Sequence, residues 1–286
     1  MRVLYIDIDS LRPDHLGCYG YHRGTSPVID SVAADGVRFT NYYVSDAPCL
    51  PSRTALMTGM FGIHNGVVNH GGTAADLRIE GAGRGFQDKL LHQSLPGYLN
   101  HQAGLHTCYI GGFGARHTTW SFYAGFREIH DTGRGGMESA EQVTPTVLDW
   151  LERNGETDDW FLHVNYWDPH TPYRAPESFG NPFADDPIPS WLTEDVVARH
   201  AQLPGPHTLQ DLNMYDDKVP PEYPRQPGSV RDLAGMRRLI DGYDCGVRYV
   251  DGHVGQLLDA LEAKGLLDDT VVIIGSDHGE NFGELG

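Results

Sequence analysis

The chain has 286 residues, 40% of them hydrophobic, and a formal charge of −18. That length allows one large α/β domain or two smaller ones, while the charge argues against nucleic acid as a partner and requires local positive charge for any anionic substrate. Cys18, Cys49, Cys108 and Cys245 are too scattered for a disulfide framework or a zinc knuckle, and no apolar run has membrane-spanning length.

The first residues, "MRVLYIDIDS", read as a buried strand with no apolar leader or cleavage site, so the sequence as written implies a cytoplasmic protein unless a leader precedes it. "SPVIDSVAADG", Ser26–Gly36, predicts a helix with proline in its first turn and glycine at its stop. "APCLPSRTALMTG" predicts a second helix from Pro51 to Gly59. Cys49 then falls just before the positive end of the helix dipole, a place that lowers a thiol pKa and attracts anions. Taken alone, Cys49 could be a packed thiol, a metal ligand or a nucleophile.

Further on, His106–Ile110, Phe161–Tyr166 and Val271–Ile274 join Val3–Ile8 as runs that fit strands buried on both faces. Helical patterns at Gln142–Arg153 and Ala234–Lys264 separate them. The alternation predicts an α/β fold with a doubly wound, mostly parallel central sheet flanked by helices. The stretch at about 179–228 is rich in proline and reads as an irregular insertion into one domain spanning residues 1–286. "VVIIGSDHGENFGELG" passes from a core strand into a polar loop and stops, which reads as a domain cut short.

Open α/β sheets bind ligands outside the carboxyl ends of their strands. One predicted strand ends at Asp9, another at Asp277 and His278, and a third runs into Asp168 and His170. Each residue alone could be a turn former. Together, two carboxylates with few nitrogen or sulfur ligands suit a hard cation, calcium or magnesium. Asp7, two residues earlier in the same strand, could compete as the ligand, but its place inside the apolar run favours a buried position behind the ligands.

"CLPSRTALMTG" resembles the signature of the type I sulfatases, C-x-P-S-R followed by a short helix and TG. "SLRPDHLGCYGYHRGTSPVIDSVAADGVRFTNYYV", "DPHTPY" and "SDHGE" resemble further family segments in the same order, so the resemblance covers essentially the whole chain. It implies an alkaline phosphatase/sulfatase-like fold, here incomplete before a small C-terminal domain. It also implies that a formylglycine-generating enzyme oxidises Cys49 to Cα-formylglycine. Asp9, Cys49, Asp277 and His278 would hold calcium, with magnesium as the alternative. Arg53 would hold the modified side chain and balance sulfate charge, and His170 would protonate the leaving oxygen. The implied activity is hydrolysis of a sulfate ester on a small molecule or glycan. Hydrolysis of a phosphodiester or phosphonate monoester is the alternative, and non-catalytic binding of sulfated glycans is a third reading.

The chain departs from the family pattern at several points. Ser10 stands where many members have a second aspartate. Gly112 and Gly114 stand where a family lysine and histidine contact sulfate, with Arg116 and His117 close enough to substitute. The three lysines, Lys89, Lys218 and Lys264, all precede the position of a second family lysine. His64, Asn69 and His70 could line the cleft or make turns. His163 reads as a core histidine, and the aromatic "WSFYAGFREIHDTG" as packing or a carbohydrate-facing wall.

Overall fold

The computed structural model describes residues 1–77, 93–203, 209, 222–228 and 230–284. Lys89 and Lys218 lie outside the described residues, as does much of the proline-rich stretch after 203. The described residues contain strands β1 (Arg2–Ile8), β2 (His106–Ile110), β3 (Glu128–His130), β4 (Trp160–Tyr166) and β5 (Thr270–Gly275). All pair in parallel, in the order β3-β2-β4-β1-β5. The connection leaving β1 runs toward β2, whereas the one leaving its neighbour β4 runs the other way, toward β5. That divergence marks the carboxyl ends of β1 and β4 as the natural crevice of such a sheet.

Among the described residues the α-helices are α1 (Pro27–Asp35), α2 (Cys49–Thr58), α3 (Gly62–Asn65), α4 (Leu95–His101), α5 (Phe113–Arg116), α6 (Ala140–Asn154), α7 (Glu194–His200) and α8 (Leu233–Ala263). Among the described residues none is long and apolar enough to cross a membrane.

Two compact units divide the chain. The first comprises Met1–Asp9, Val37–Trp167 and His253–His278 and holds the whole sheet. Because side chains alternate along a strand, Val3, Tyr5 and Phe161 share one face, where Leu56 of α2 and Leu99 of α4 pack on them. On the opposite face Trp150 of α6 meets Trp160 edge-on at 5.6 Å, and Thr144 bonds the Tyr166 hydroxyl at 2.9 Å. Both faces of the inner strands are therefore covered.

Two expectations change. β5 is an edge strand among the described residues, and Val271 and Ile273 are 50% and 44% exposed rather than buried on both faces. β3, with three residues, is too short to leave a periodic signal, and the sequence pattern misses it.

The second unit comprises Ser10–Gly36, Asp168–Gly252 and Gly279–Gly286. Its polar core centres on Asp244, which meets His15 Nδ1 at 2.6 Å, the Tyr21 hydroxyl at 2.7 Å and Arg23 Nη1 at 2.8 Å. Asp251 accepts the Val28 and Ile29 backbone N–H groups at 3.1 and 2.9 Å. This satisfies donors left over at the start of α1.

Candidate active site

In the first unit, helix α2 is buried almost all round: Cys49, Leu50, Pro51, Ser52, Arg53, Ala55 and Met57 all lie inside. The helix begins at Cys49, two residues earlier than the proline suggested. It ends at Gly59, whose φ of 67° is the left-handed stop that closes the last turn onto the Ala55 carbonyl. The four-residue spacing of Cys49 and Arg53 puts both on one face. That face meets the ends of β1 and β5. Ser52 fixes the docking by donating its hydroxyl to the Asp277 carbonyl at 2.6 Å.

Arg53, fully buried, is the hub. Its Nε and Nη2 grip Asp7 at 2.7 and 2.9 Å, and Nη1 reaches Asp9 at 2.6 Å and Asp277 at 2.5 Å. The guanidinium carbon stands 4.7 Å over the Phe113 ring. Asp7 also faces His163 Nε2 at 3.2 Å. The odd-numbered register of β1 sends Asp7 and Asp9 to the α2 side of the sheet. The Asp9 N–H continues the parallel ladder by donating to the Tyr166 carbonyl at 2.9 Å.

Cys49 Sγ lies 3.0 Å from His278 Nε2 and 3.9 Å from Asp9 Oδ1. Asp9, Cys49, Asp277 and His278 each place a ligand atom within 4.8 Å of the others. Three buried carboxylates thus face one guanidinium, which leaves too little positive charge. Asp277 registers the shortfall. Burial and the Asp9 charge push it up to about 7 against the pull of Arg53. Cys49 responds the same way: burial first, then Asp9 and Asp277, raise its pKa well above that of a free thiol. The lowering expected from the helix dipole is outweighed, because two carboxylates and a dry environment act at closer range than the helix end. A divalent cation fits this donor set, since it would supply the missing charge among groups already gathered.

His117 lies beside this cluster. It forms a second group with Cys49 and His70, their ligand atoms within 4.8 Å of one another. His117 Nε2 is buried without a hydrogen-bond partner. Burial, then His70 and Arg53, push its pKa down to about 3, so the ring is neutral near pH 7. His70 is exposed and accepts the Leu50 N–H at 3.3 Å. Arg116 is also exposed, with Nη1 3.7 Å from the Met137 sulfur. His64 and Asn69 are exposed on the segment after α2. His163 is buried in the core, neutral because burial lowers its pKa. In the second unit, His170 is half-buried with Nδ1 against the Thr171 carbonyl, and Ser10 adopts a φ of 58° with its carbonyl accepting the Tyr243 hydroxyl at 2.7 Å.

The two glycines have a steric reason. A Cβ on Gly112 would meet Glu138 Oε1 at 2.3 Å, and one on Gly114 would meet the Tyr123 ring at 2.4 Å. Glu138 is fully buried and accepts the Trp167 indole N–H at 3.2 Å. Sequence reasoning missed Glu138 because nothing in "GRGGMES" marks a buried acid.

The protein-family model described as Sulfatase matches residues 2–286. Human iduronate 2-sulfatase is 27% identical across all of this chain and 56% of its own length. Human arylsulfatase A is 33% identical across 97% of this chain and 52% of its own. The chain therefore spans about half the length of these curated relatives. Among solved structures, a complex of a protein with its substrate D-glucosamine-2-N,6-O-disulfate superposes with a TM-score of 0.68 at 22% identity, covering 96% of this chain and 65% of that one. The phosphonate monoester hydrolase of Agrobacterium radiobacter superposes at 0.64 and 19% identity, over 97% and 62%. The fold is thus shared by a protein solved with a disulfated sugar substrate and by an enzyme named for a phosphonate ester, whereas the sequence match takes in every described strand of the sheet and the whole of α2, and on that match the chain belongs to the sulfatase family.

Proposed function

We propose that the protein hydrolyses a sulfate ester, using residue 49 after a formylglycine-generating enzyme has oxidised it. The observation that carries this reading is the state of Cys49 itself. A thiol held protonated by burial and then by two neighbouring carboxylates is a poor nucleophile, yet it stands at the centre of a ligand set and four residues from a buried arginine. Its position therefore makes more chemical sense as a precursor than as a reagent. As the aldehyde hydrate, residue 49 would offer a hydroxyl for attack on sulfur and a second hydroxyl whose deprotonation releases the sulfate.

Asp9, Asp277, His278 and residue 49 would hold a divalent cation, for which we propose calcium because carboxylate oxygens dominate the set. When bound, the cation lowers the pKa of a coordinated hydroxyl and screens sulfate oxygens. Arg53 keeps Asp9 and Asp277 aimed and adds fixed positive charge at the strand ends. His117, neutral and with a free buried nitrogen, is placed to donate or accept a hydrogen bond beside residue 49. On motif grounds His170 is the proposed proton donor to the leaving oxygen, and Arg116 a further cation for the ester. We further propose that residues 1–286 act as one catalytic domain interrupted by the insertion at about 179–228, and that a sulfated small molecule or glycan is the substrate.

Two measurements test this. Mass spectrometry of the Cys49 peptide, after expression with the maturing enzyme, should show loss of the thiol and gain of an aldehyde. An active protein that retains the thiol overturns the mechanism. Parallel kinetics should show higher kcat/KM for an aryl sulfate than for an aryl phosphodiester or phosphonate monoester. The reverse preference sinks the sulfatase reading in favour of the phosphorus ester.

A further inference from the structure

A third group of metal-ligating side chains lies at the β3 edge of the sheet, in residues the proposed reaction does not use. β2 and β3 run parallel with Cys108 opposite Glu128 and Ile110 opposite His130. Alternation along each strand puts His106, Cys108, Glu128 and His130 on one face. Cys108, Glu128 and His130 each bring a ligand atom within 4.8 Å of the others. His130 Nε2 lies 2.6 Å from Glu128 Oε1, and His106 Nε2 lies 3.0 Å from Glu128 Oε2. Trp150 of α6 donates its indole N–H to the same Oε2 at 3.0 Å and so fixes the carboxylate from behind.

We propose that this edge binds a borderline-soft divalent cation, zinc by its chemistry, through Cys108, Glu128, His130 and His106. The donors are one thiol, one carboxylate and two imidazoles, the set that zinc takes in four-coordinate sites and that calcium does not. Zinc bonds of about 2.0–2.3 Å put tetrahedral ligand atoms roughly 3–4 Å apart, inside the 4.8 Å that already holds Cys108, Glu128 and His130; His106, 3.0 Å from Glu128, joins them by a rotamer change. Access and rigidity are both provided. Cys108 is a free thiol buried at the bottom, while the Glu128, His130 and His106 side chains are 27%, 28% and 42% exposed above it. Binding converts the thiol to thiolate and releases its proton to solvent, as zinc–thiolate bonds require. The ion would tie the three-residue strand β3, otherwise held to β2 by a short ladder, to the sheet.

The test uses the full chain with Cys49→Ala, so that the sulfur at the other site cannot contribute. Cobalt(II) added as a probe should produce a thiolate-to-cobalt charge-transfer band that saturates at one equivalent and is displaced by zinc chloride. Adding Cys108→Ser should abolish the band, His130→Gln should weaken cobalt affinity at least tenfold, and Asp277→Asn should leave it unchanged. Zinc should also raise the melting midpoint of the Cys49→Ala, Asp277→Asn chain, and this rise should shrink when His130→Gln is added, which covers the case in which the serine variant does not fold; an equal rise overturns the proposal. No charge-transfer band, or a band that survives Cys108→Ser, overturns the proposal. Neither result bears on sulfate hydrolysis, which the aryl sulfate assay measures separately.

Discussion

Arg53 shows how one side chain can hold a site together. Its guanidinium makes four hydrogen bonds to three carboxylates at the ends of two strands, a geometry that only a planar guanidinium supplies. Arg53→Lys keeps the charge but loses the fork. It should lower kcat on an aryl sulfate by roughly 10²–10³-fold, the range seen when one fixed transition-state donor is removed, and lower the melting midpoint as well. Activity within a factor of a few of wild type would show that the fork is dispensable. The Gly112–Glu138 contact yields a second test. Gly112→Ala should cost about 1–3 kcal/mol by overpacking against the buried carboxylate. Adding Glu138→Ala should recover most of that loss, giving a coupling term in a denaturation cycle. Additive losses would place the strain elsewhere. The glycines themselves were plain in the sequence as departures from a pattern. Their cause was not, since it depends on an acid 26 positions away in the chain.

At the scale of elements, α2 decides where the chemistry sits. Its left-handed stop at Gly59 lets the chain turn away directly after the site, and Gly59→Ala should cost about 1–2 kcal/mol, readable as a lower denaturation midpoint with unchanged slope. An unchanged midpoint would mean the turn relaxes without strain. The inner strands were legible because continuous apolar runs have few other solutions, and their ends led directly to Asp9, Asp277 and His278. The start of α2 was less so. Proline at the third helical residue looks like proline at the first, which displaced Cys49 by a turn position and suggested a dipole-lowered pKa. Burial first, and then carboxylates brought from positions 9 and 277, raise it instead, and local spacing carries no trace of either. β3 and the Glu128 cluster were invisible for the same reason: histidine, cysteine and glutamate become neighbours only through strand pairing.

For the molecule as a whole, buried charge governs the response to pH and metal. His163 is buried and held neutral, its pKa lowered below the ordinary 6.5. Above 6.5 folded and unfolded chains are both neutral there. Below it the unfolded chain takes a proton that the folded one refuses, so this contribution to stability is lost as pH falls. As pH falls below 6.5 the melting midpoint of His163→Asn should therefore fall less, or rise more, than that of the wild type, against a background in which Asp277, its pKa raised to about 7, favours the folded chain over the same range; an equal slope in the variant would remove His163 from the account. Metal acts in the opposite sense. A cation that neutralises the carboxylates around Arg53 binds only the folded chain, so chelation should lower the melting midpoint and added calcium should restore it. With Asp277→Asn both shifts should shrink, and full shifts in that variant would place the ion elsewhere.

The edge strand β5 has a practical side. Among the described residues it pairs only with β1, and its outer row of backbone donors and acceptors runs beside half-exposed Val271 and Ile273. Such a margin is a template for another chain's strand. Val271→Lys or Ile273→Lys should therefore reduce association along that margin, read as a lower apparent mass at high protein concentration; an unchanged mass would rule the margin out as a contact.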